Sequence, residues 1–129
     1  MERLIQEDYL GENWKMVVCC ILLNQTTNQQ VRKILPRLFE LIPGPDSVLA
    51  IDPDLIQSTI KSTGFSKIKT ARIVAMSKKW LEGFSDVKEL PGVGSYASDS
   101  WEIFVNNNYS LEVTDKKLKM YLERFDHLN

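Results

Sequence analysis

The chain has 129 residues, 43% hydrophobic and 26% charged, with a formal net charge of −1 at pH 7. That length suits one compact unit, at most of two lobes, and is too short for two ordinary domains. The near-zero net charge argues against a strongly basic nucleic-acid binder, although the distribution of charge matters more than its sum. No apolar run reaches membrane-spanning length, and the first residues are polar and acidic where a secretory leader is basic and then apolar. The expectation is an intracellular monomer without a membrane partner. Cys19 and Cys20 are adjacent within an apolar stretch, which suits buried thiols and not a ligand set. No metal and no cofactor are expected.

In chain order, Leu4, Ile5 and Tyr9 suggest a short first helix, and Asn13 is a candidate N-cap for a helix through residues 14–23 that is apolar nearly all round. The polar run 24–28 interrupts it. Val31, Ile34, Leu35, Leu38 and Phe39 then recur at helical spacing around Pro36. Asp46 is read as the cap of a short helix, and Asp52-Pro53 as a cap followed by proline at the first helical position. Gly64 suits a left-handed helix terminus, and Ile68, Ala71, Val74, Ala75 and Leu81 mark the expected inner stripe of the next helix. A helix at about 95–105 follows, then an irregular stretch at 109–115 and a last helix at about 116–124 with Leu118, Tyr121 and Leu122 inward. Strand-like alternation is scarce, so the fold class is all-α.

The most informative stretch is Val87-Lys88-Glu89-Leu90-Pro91-Gly92-Val93-Gly94-Ser95-Tyr96-Ala97. Pro91 stops one helix, and Gly92 and Gly94 permit positive φ and a close approach by another backbone. The turn leaves the first amides of the following helix pointing outward, where donors and the positive dipole end suit a phosphate. A plain helix–helix connector is the alternative. Between Leu55 and Leu81 stand Lys61, Lys67, Lys69, Arg72, Lys78 and Lys79 with no acidic residue, which favours a binding face over a merely solvated one.

This stretch resembles the helix-hairpin-helix of DNA-binding proteins. Val113-Thr114-Asp115 follows, with Asp115 nineteen residues after Tyr96, and the pair resembles the helix-hairpin-helix (HhH-GPD) DNA glycosylases, whose hairpin precedes a catalytic aspartate. Leu22-Leu23-Asn24-Gln25-Thr26-Thr27 resembles the loop that those enzymes drive into the duplex, and residues 64–71 resemble their second DNA-contacting turn. Asn13-Trp14-Lys15, Leu23-Asn24-x-Thr26 and Tyr96-x-x-Asp99-Ser100 are closest to the glycosylase domains of the methyl-CpG-binding-domain thymine/uracil mismatch branch. The resemblance covers essentially residues 1–129 and implies one domain of two helical lobes, a hairpin at about 86–97 and no iron–sulfur cluster.

The resemblance implies roles that the residue chemistry can perform. Asp115 would stabilise positive charge developing on the deoxyribose and orient the attacking water; capping the last helix is its structural alternative. Tyr96 stands two residues after Gly94, where strand-cutting members carry a Schiff-base lysine, so the implied enzyme is monofunctional. Tyr96 and Gln6 would hold the flipped pyrimidine. Gln25 would fill the hole left in the stack, and Phe65 would wedge the opposite strand, with a core position as the alternative for Phe65. Gly92, Val93, Gly94, Ser95, Lys67 and Lys69 would hold the DNA backbone. Lys117 matches a lysine near the aspartate and is left outside the catalytic set. Ser98 in place of the usual alanine and Gln25 in place of arginine depart from the branch. The implied activity is excision of thymine or uracil opposite guanine in double-stranded DNA, nuclear in a eukaryote. Rival readings are a non-catalytic hairpin module that only holds DNA, and a glycosylase for another lesion.

Overall fold

A computed structural model describes residues 3–126. Its helices are α1 (Ile5–Asp8), α2 (Asn13–Leu22), α3 (Asn28–Leu41), α4 (Pro45–Ala50), α5 (Pro53–Thr59), α6 (Ser66–Glu82), α7 (Ser95–Phe104) and α8 (Lys116–Asp126). Short 3-10 turns lie at Lys61–Thr63 and Val87–Glu89, and no strand occurs among the described residues. The protein is all-α, as its periodicity predicts.

Helix α2 is central because it has no polar face. Trp14 and the run 16–22 are buried. Val17, Val18, Ile21 and Leu22 join Val31, Leu35, Leu38, Ile56, Ile60, Ile73 and Met76 in one hydrophobic cluster. Met16 instead joins Leu4, Ile103, Phe104, Val113, Leu118, Tyr121 and Leu122 in a second cluster made from both ends of the chain. Each fully buried Leu, Ile or Val stabilises the fold by about 1.5–3 kcal/mol relative to exposure. One helix thus ties two cores together, and the junction between them is where the candidate site forms.

Capping signals locate most helix starts. Asp52 accepts from the Asp54 amide at 2.9 Å ahead of Pro53, as expected. Two expectations shift. Asn13 is the first residue of α2, whose cap Glu12 makes no side-chain bond to the helix backbone, its Oε1 pairing instead with Lys15 Nζ at 3.2 Å, so burial and not a side-chain cap holds that terminus. Asp46 lies inside α4, and Gly44 is the cap. Thr27, which the polar run concealed, caps α3 reciprocally with Gln30. Pro36 stands inside α3 and does not end it.

The inner stripe of α6 is a correction. Ile68, Ala71, Ala75 and Leu81 are exposed, while Lys69, Thr70, Ile73, Met76 and Ser77 are buried. The inner face of α6 is partly polar, and two of its three polar side chains have partners there: Ser77 Oγ accepts from Trp14 Nε1 at 3.0 Å and the Lys69 ammonium has three acceptors, whereas Thr70 Oγ1 has none among the described residues. Hydrophobic periodicity misleads where buried hydrogen bonds replace apolar contacts. The rings of Trp80, Phe84 and Trp101, with centroids 4.9–6.0 Å apart, join α6 to α7.

Candidate active site

The hairpin turn follows from three local features. Its first arm is only the 3-10 turn Val87–Glu89, capped by Asp86, whose carboxylate accepts from the Lys88 amide at 2.9 Å. Gly92 has φ 81°, and a Cβ there would meet Arg72 Cβ at 3.0 Å. Gly92 therefore has the positive φ predicted for it, while the close approach is made by the Arg72 side chain and not by another backbone. Gly94 does not use positive φ; it is extended, at φ −97° and ψ −164°, and is the N-cap of α7 without a side-chain bond. With no side chain capping them, the first amides of α7 remain donors for a ligand.

Gly92, Val93, Gly94, Ser95 and Tyr96 line a cleft of about 870 Å³ together with Gln25 and Asp115. The cleft lies at the junction of the two cores, between the end of α2, the turn after it, the hairpin and the start of α8. Asp115 is half-buried there and caps α8, its Oδ2 accepting from the Leu118 amide at 3.0 Å. The cap fixes the carboxylate and leaves its other oxygen for the cleft. The helix cap expected as the structural alternative is therefore present, on a residue that also lines the cleft.

Tyr96 is half-buried and accepts from Gln6 Nε2 at 2.6 Å. Because the phenol oxygen accepts that bond, its own O–H is left to donate. Burial above all, with Cys20 and Asp115 adding to it, pushes the Tyr96 phenol well above its usual range, so it stays protonated. Gln6 itself is 1% exposed and is not part of the cleft lining. Its amide nitrogen also donates to Ser100 Oγ at 3.1 Å. The residue expected to touch a base stands behind Tyr96 and holds it.

Gln25 and Phe65 are both exposed, Phe65 at 59%, so the core alternative for Phe65 fails. Both adopt left-handed backbone, at φ 55° and φ 48°. A non-glycine residue there costs about 1–2 kcal/mol. The left-handed residue before α6 is Phe65 and not Gly64, which instead has φ 76° and ψ 158°, a region almost confined to glycine. Phe65 lies outside the cleft lining.

Lys67 is exposed at the start of α6, free to meet a backbone. Lys69 corrects the expectation that it would do the same, being 0% exposed. Its ammonium donates to Leu22 O at 2.8 Å, Thr26 Oγ1 at 2.6 Å and Thr63 O at 2.8 Å. Burial lowers its pKa. Sequence reasoning overlooked Cys20 and Lys116 and set Lys117 aside, yet all three line the cleft, and so does Arg72 from α6. The Gly92–Arg72 approach can be sensed from the paired glycines, but the partner's identity needs the fold. Burial chiefly pushes the Cys20 thiol up to about 12, so it meets the cleft as a small neutral group.

The site thus combines, on an all-helical fold, a glycine turn presenting helix amides with a carboxylate on the same cleft, and two exposed side chains stand at positive φ in nearby turns. The chain belongs to the HhH-GPD superfamily of base excision DNA repair proteins, whose family model matches residues 18–128. It is 34% identical over 120 residues to a methyl-CpG-binding domain protein 4-like protein of Arabidopsis thaliana, covering 92% of this chain and 27% of that protein. It is 26% identical over 96 residues to a thymine/uracil-DNA glycosylase of Pyrobaculum aerophilum, covering 68% of this chain and 42% of the other. The chain thus spans about a quarter to two fifths of the length of these relatives. In fold it is similar to a thermostable thymine-DNA glycosylase, with a TM-score of 0.67 over 74% of this chain and 48% of that one at 21% identity. An endonuclease III–DNA covalent intermediate gives a TM-score of 0.63 over 81% of this chain and 62% of that one, at 20% identity.

Proposed function

We propose that the chain is a monofunctional DNA glycosylase that flips thymine or uracil mispaired with guanine out of double-stranded DNA and hydrolyses its N-glycosidic bond. The observation that carries this reading is the convergence of Asp115, Tyr96, Gln25 and the glycine turn on one cleft. The α7 amides at 94–96, with Lys67, take phosphates of the duplex. Gln25 fills the vacated stack, Phe65 wedges the other strand, and the extruded pyrimidine enters beside Tyr96, whose O–H donates to a carbonyl of the base. Gln6 acts through Tyr96. As the base departs, the carboxylate of Asp115 faces the cationic sugar and holds the water that attacks it. Fixed charge of this kind is worth about 3–5 kcal/mol of barrier.

Position 96 has no amine, but Lys116 and Lys117 line the same cleft, so the absence of lyase chemistry is open to direct test. Single-turnover incubation with G·T, G·U and A·U duplexes, followed by alkali, should give strand breaks for the guanine mismatches only. No break should appear before alkali, and borohydride should trap no covalent adduct. A trapped adduct overturns the monofunctional reading, and absence of excision on every duplex favours a module that only holds DNA.

A further inference from the structure

Among the described residues Lys69 is buried without a carboxylate partner, and its three bonds go to neutral oxygens. Desolvating an ammonium in this way is expensive, and a methionine would fill the same space at lower cost. What distinguishes the lysine is the set of segments it joins. Leu22 O ends α2, Thr26 follows Gln25, and Thr63 precedes the Gly64-Phe65 pair. The Thr26 hydroxyl adds a direct link by donating to Thr63 O at 2.5 Å. Both exposed residues held at positive φ on this face, Gln25 and Phe65, therefore emerge from turns fastened to one nitrogen.

We propose that Lys69 is a positioning residue that locks the Gln25 turn and the Phe65 turn into one rigid unit, so that plug and wedge enter a duplex together. The inference rests on the reading of Gln25 and Phe65 as inserting side chains. Rigid linkage makes the second insertion nearly free once the first has occurred, which is the logic of effective concentration. Without Lys69 each turn would relax from its left-handed conformation separately, and the two insertions would become independent events.

The test has a DNA-free arm and a DNA-bound arm. In hydrogen–deuterium exchange, Lys69→Met should speed the amides of residues 24–26 and 63–65 together, by about tenfold or more, while α2 and α3 keep their protection. Acceleration in neither turn, or in one alone, overturns the proposal. With 2-aminopurine beside a G·T mismatch, flipping is then compared for Gln25→Ala, Phe65→Ala and both together. In the parent, the double variant should fall at least about fivefold short of the product of the single effects. In the Lys69→Met protein the effects should multiply to within about twofold. A merely structural lysine would lower stability without changing this coupling, so equal coupling in both proteins overturns the proposal. Should Lys69→Met fail to fold, Thr26→Val carries the same comparisons, since it cuts the link between the turns and leaves the ammonium on the Leu22 and Thr63 carbonyls. Loss of all excision in the parent would remove the glycosylase reading, while exchange in the DNA-free protein would still decide the clip.

Discussion

The hairpin turn and the two turns tied by Lys69 are built in opposite ways. In the hairpin, the proposed function falls to backbone amides, and the sequence removes side chains around them: Gly92 has positive φ, and a Cβ there would lie only 3.0 Å from Arg72 Cβ. In the Gln25 and Phe65 turns, the proposed function falls to side chains, and residues that disfavour positive φ are nevertheless held there, at 55° and 48°. The first kind of element is satisfied locally and is sensitive to any added atom. The second is strained locally and persists only because distant groups over-determine it.

The largest expected effect lies outside both regions and calibrates them. Asp115→Asn keeps a good N-cap for the Leu118 amide but removes the negative charge. Base release should fall by about two to four orders of magnitude, or roughly 3–5 kcal/mol, with little change in melting temperature or duplex affinity. Unchanged single-turnover excision by the folded variant removes Asp115 from the mechanism.

Gly92→Val breaks the hairpin side of the comparison. Positive φ and the collision with Arg72 should together destabilise the protein by about 1–3 kcal/mol. Affinity for duplexes of every sequence should fall, because backbone contacts carry no sequence information. Thermal melts and duplex titrations at fixed salt check this, and full affinity in a folded variant refutes the assignment of backbone grip to the hairpin.

Phe65→Gly sharpens the other side. Glycine relieves the left-handed strain at φ 48°, offset by the entropy it adds to the unfolded chain, so stability should stay within about 1 kcal/mol of the parent. Flipping should nonetheless fall as much as in Phe65→Ala, since the wedge is gone. If Phe65→Gly melts several kcal/mol lower, the side chain supports the fold and the wedge reading fails.

The smallest effect concerns buried acids away from the two regions' exposed tips. Burial, the largest cause in each case, raises Cys20 and Tyr121 to about 12. An acid whose folded pKa is raised adds stability that is complete below its unfolded pKa and is lost as pH rises toward the folded value. Melting temperature should therefore hold to about pH 8 and decline from about pH 9 upward. Iodoacetamide at pH 8 should label Cys19 only at the rate of unfolding, and rapid labelling of Cys19 in the native protein would contradict its burial.

The amino-acid sequence by itself determined the features that depend on a few neighbouring residues. Helical periodicity, the Asp52-Pro53 start, the all-round apolar α2, the glycine turn and the cap at Asp115 all act over one turn of chain, and all are where the sequence places them. The absence of an amine at position 96 is likewise plain from the residue itself. The fold alone decided which face of α6 is buried, that Gln6 stands behind Tyr96, and that Arg72 and Lys117 reach the cleft. Lys69 shows why. Read locally, it is one cation in a basic run, and its burial depends on oxygens 47, 43 and 6 residues away along the chain. A charged side chain can be buried when the fold supplies acceptors to replace water, and no window of sequence reveals acceptors that only the packing of α2 on α6 brings together.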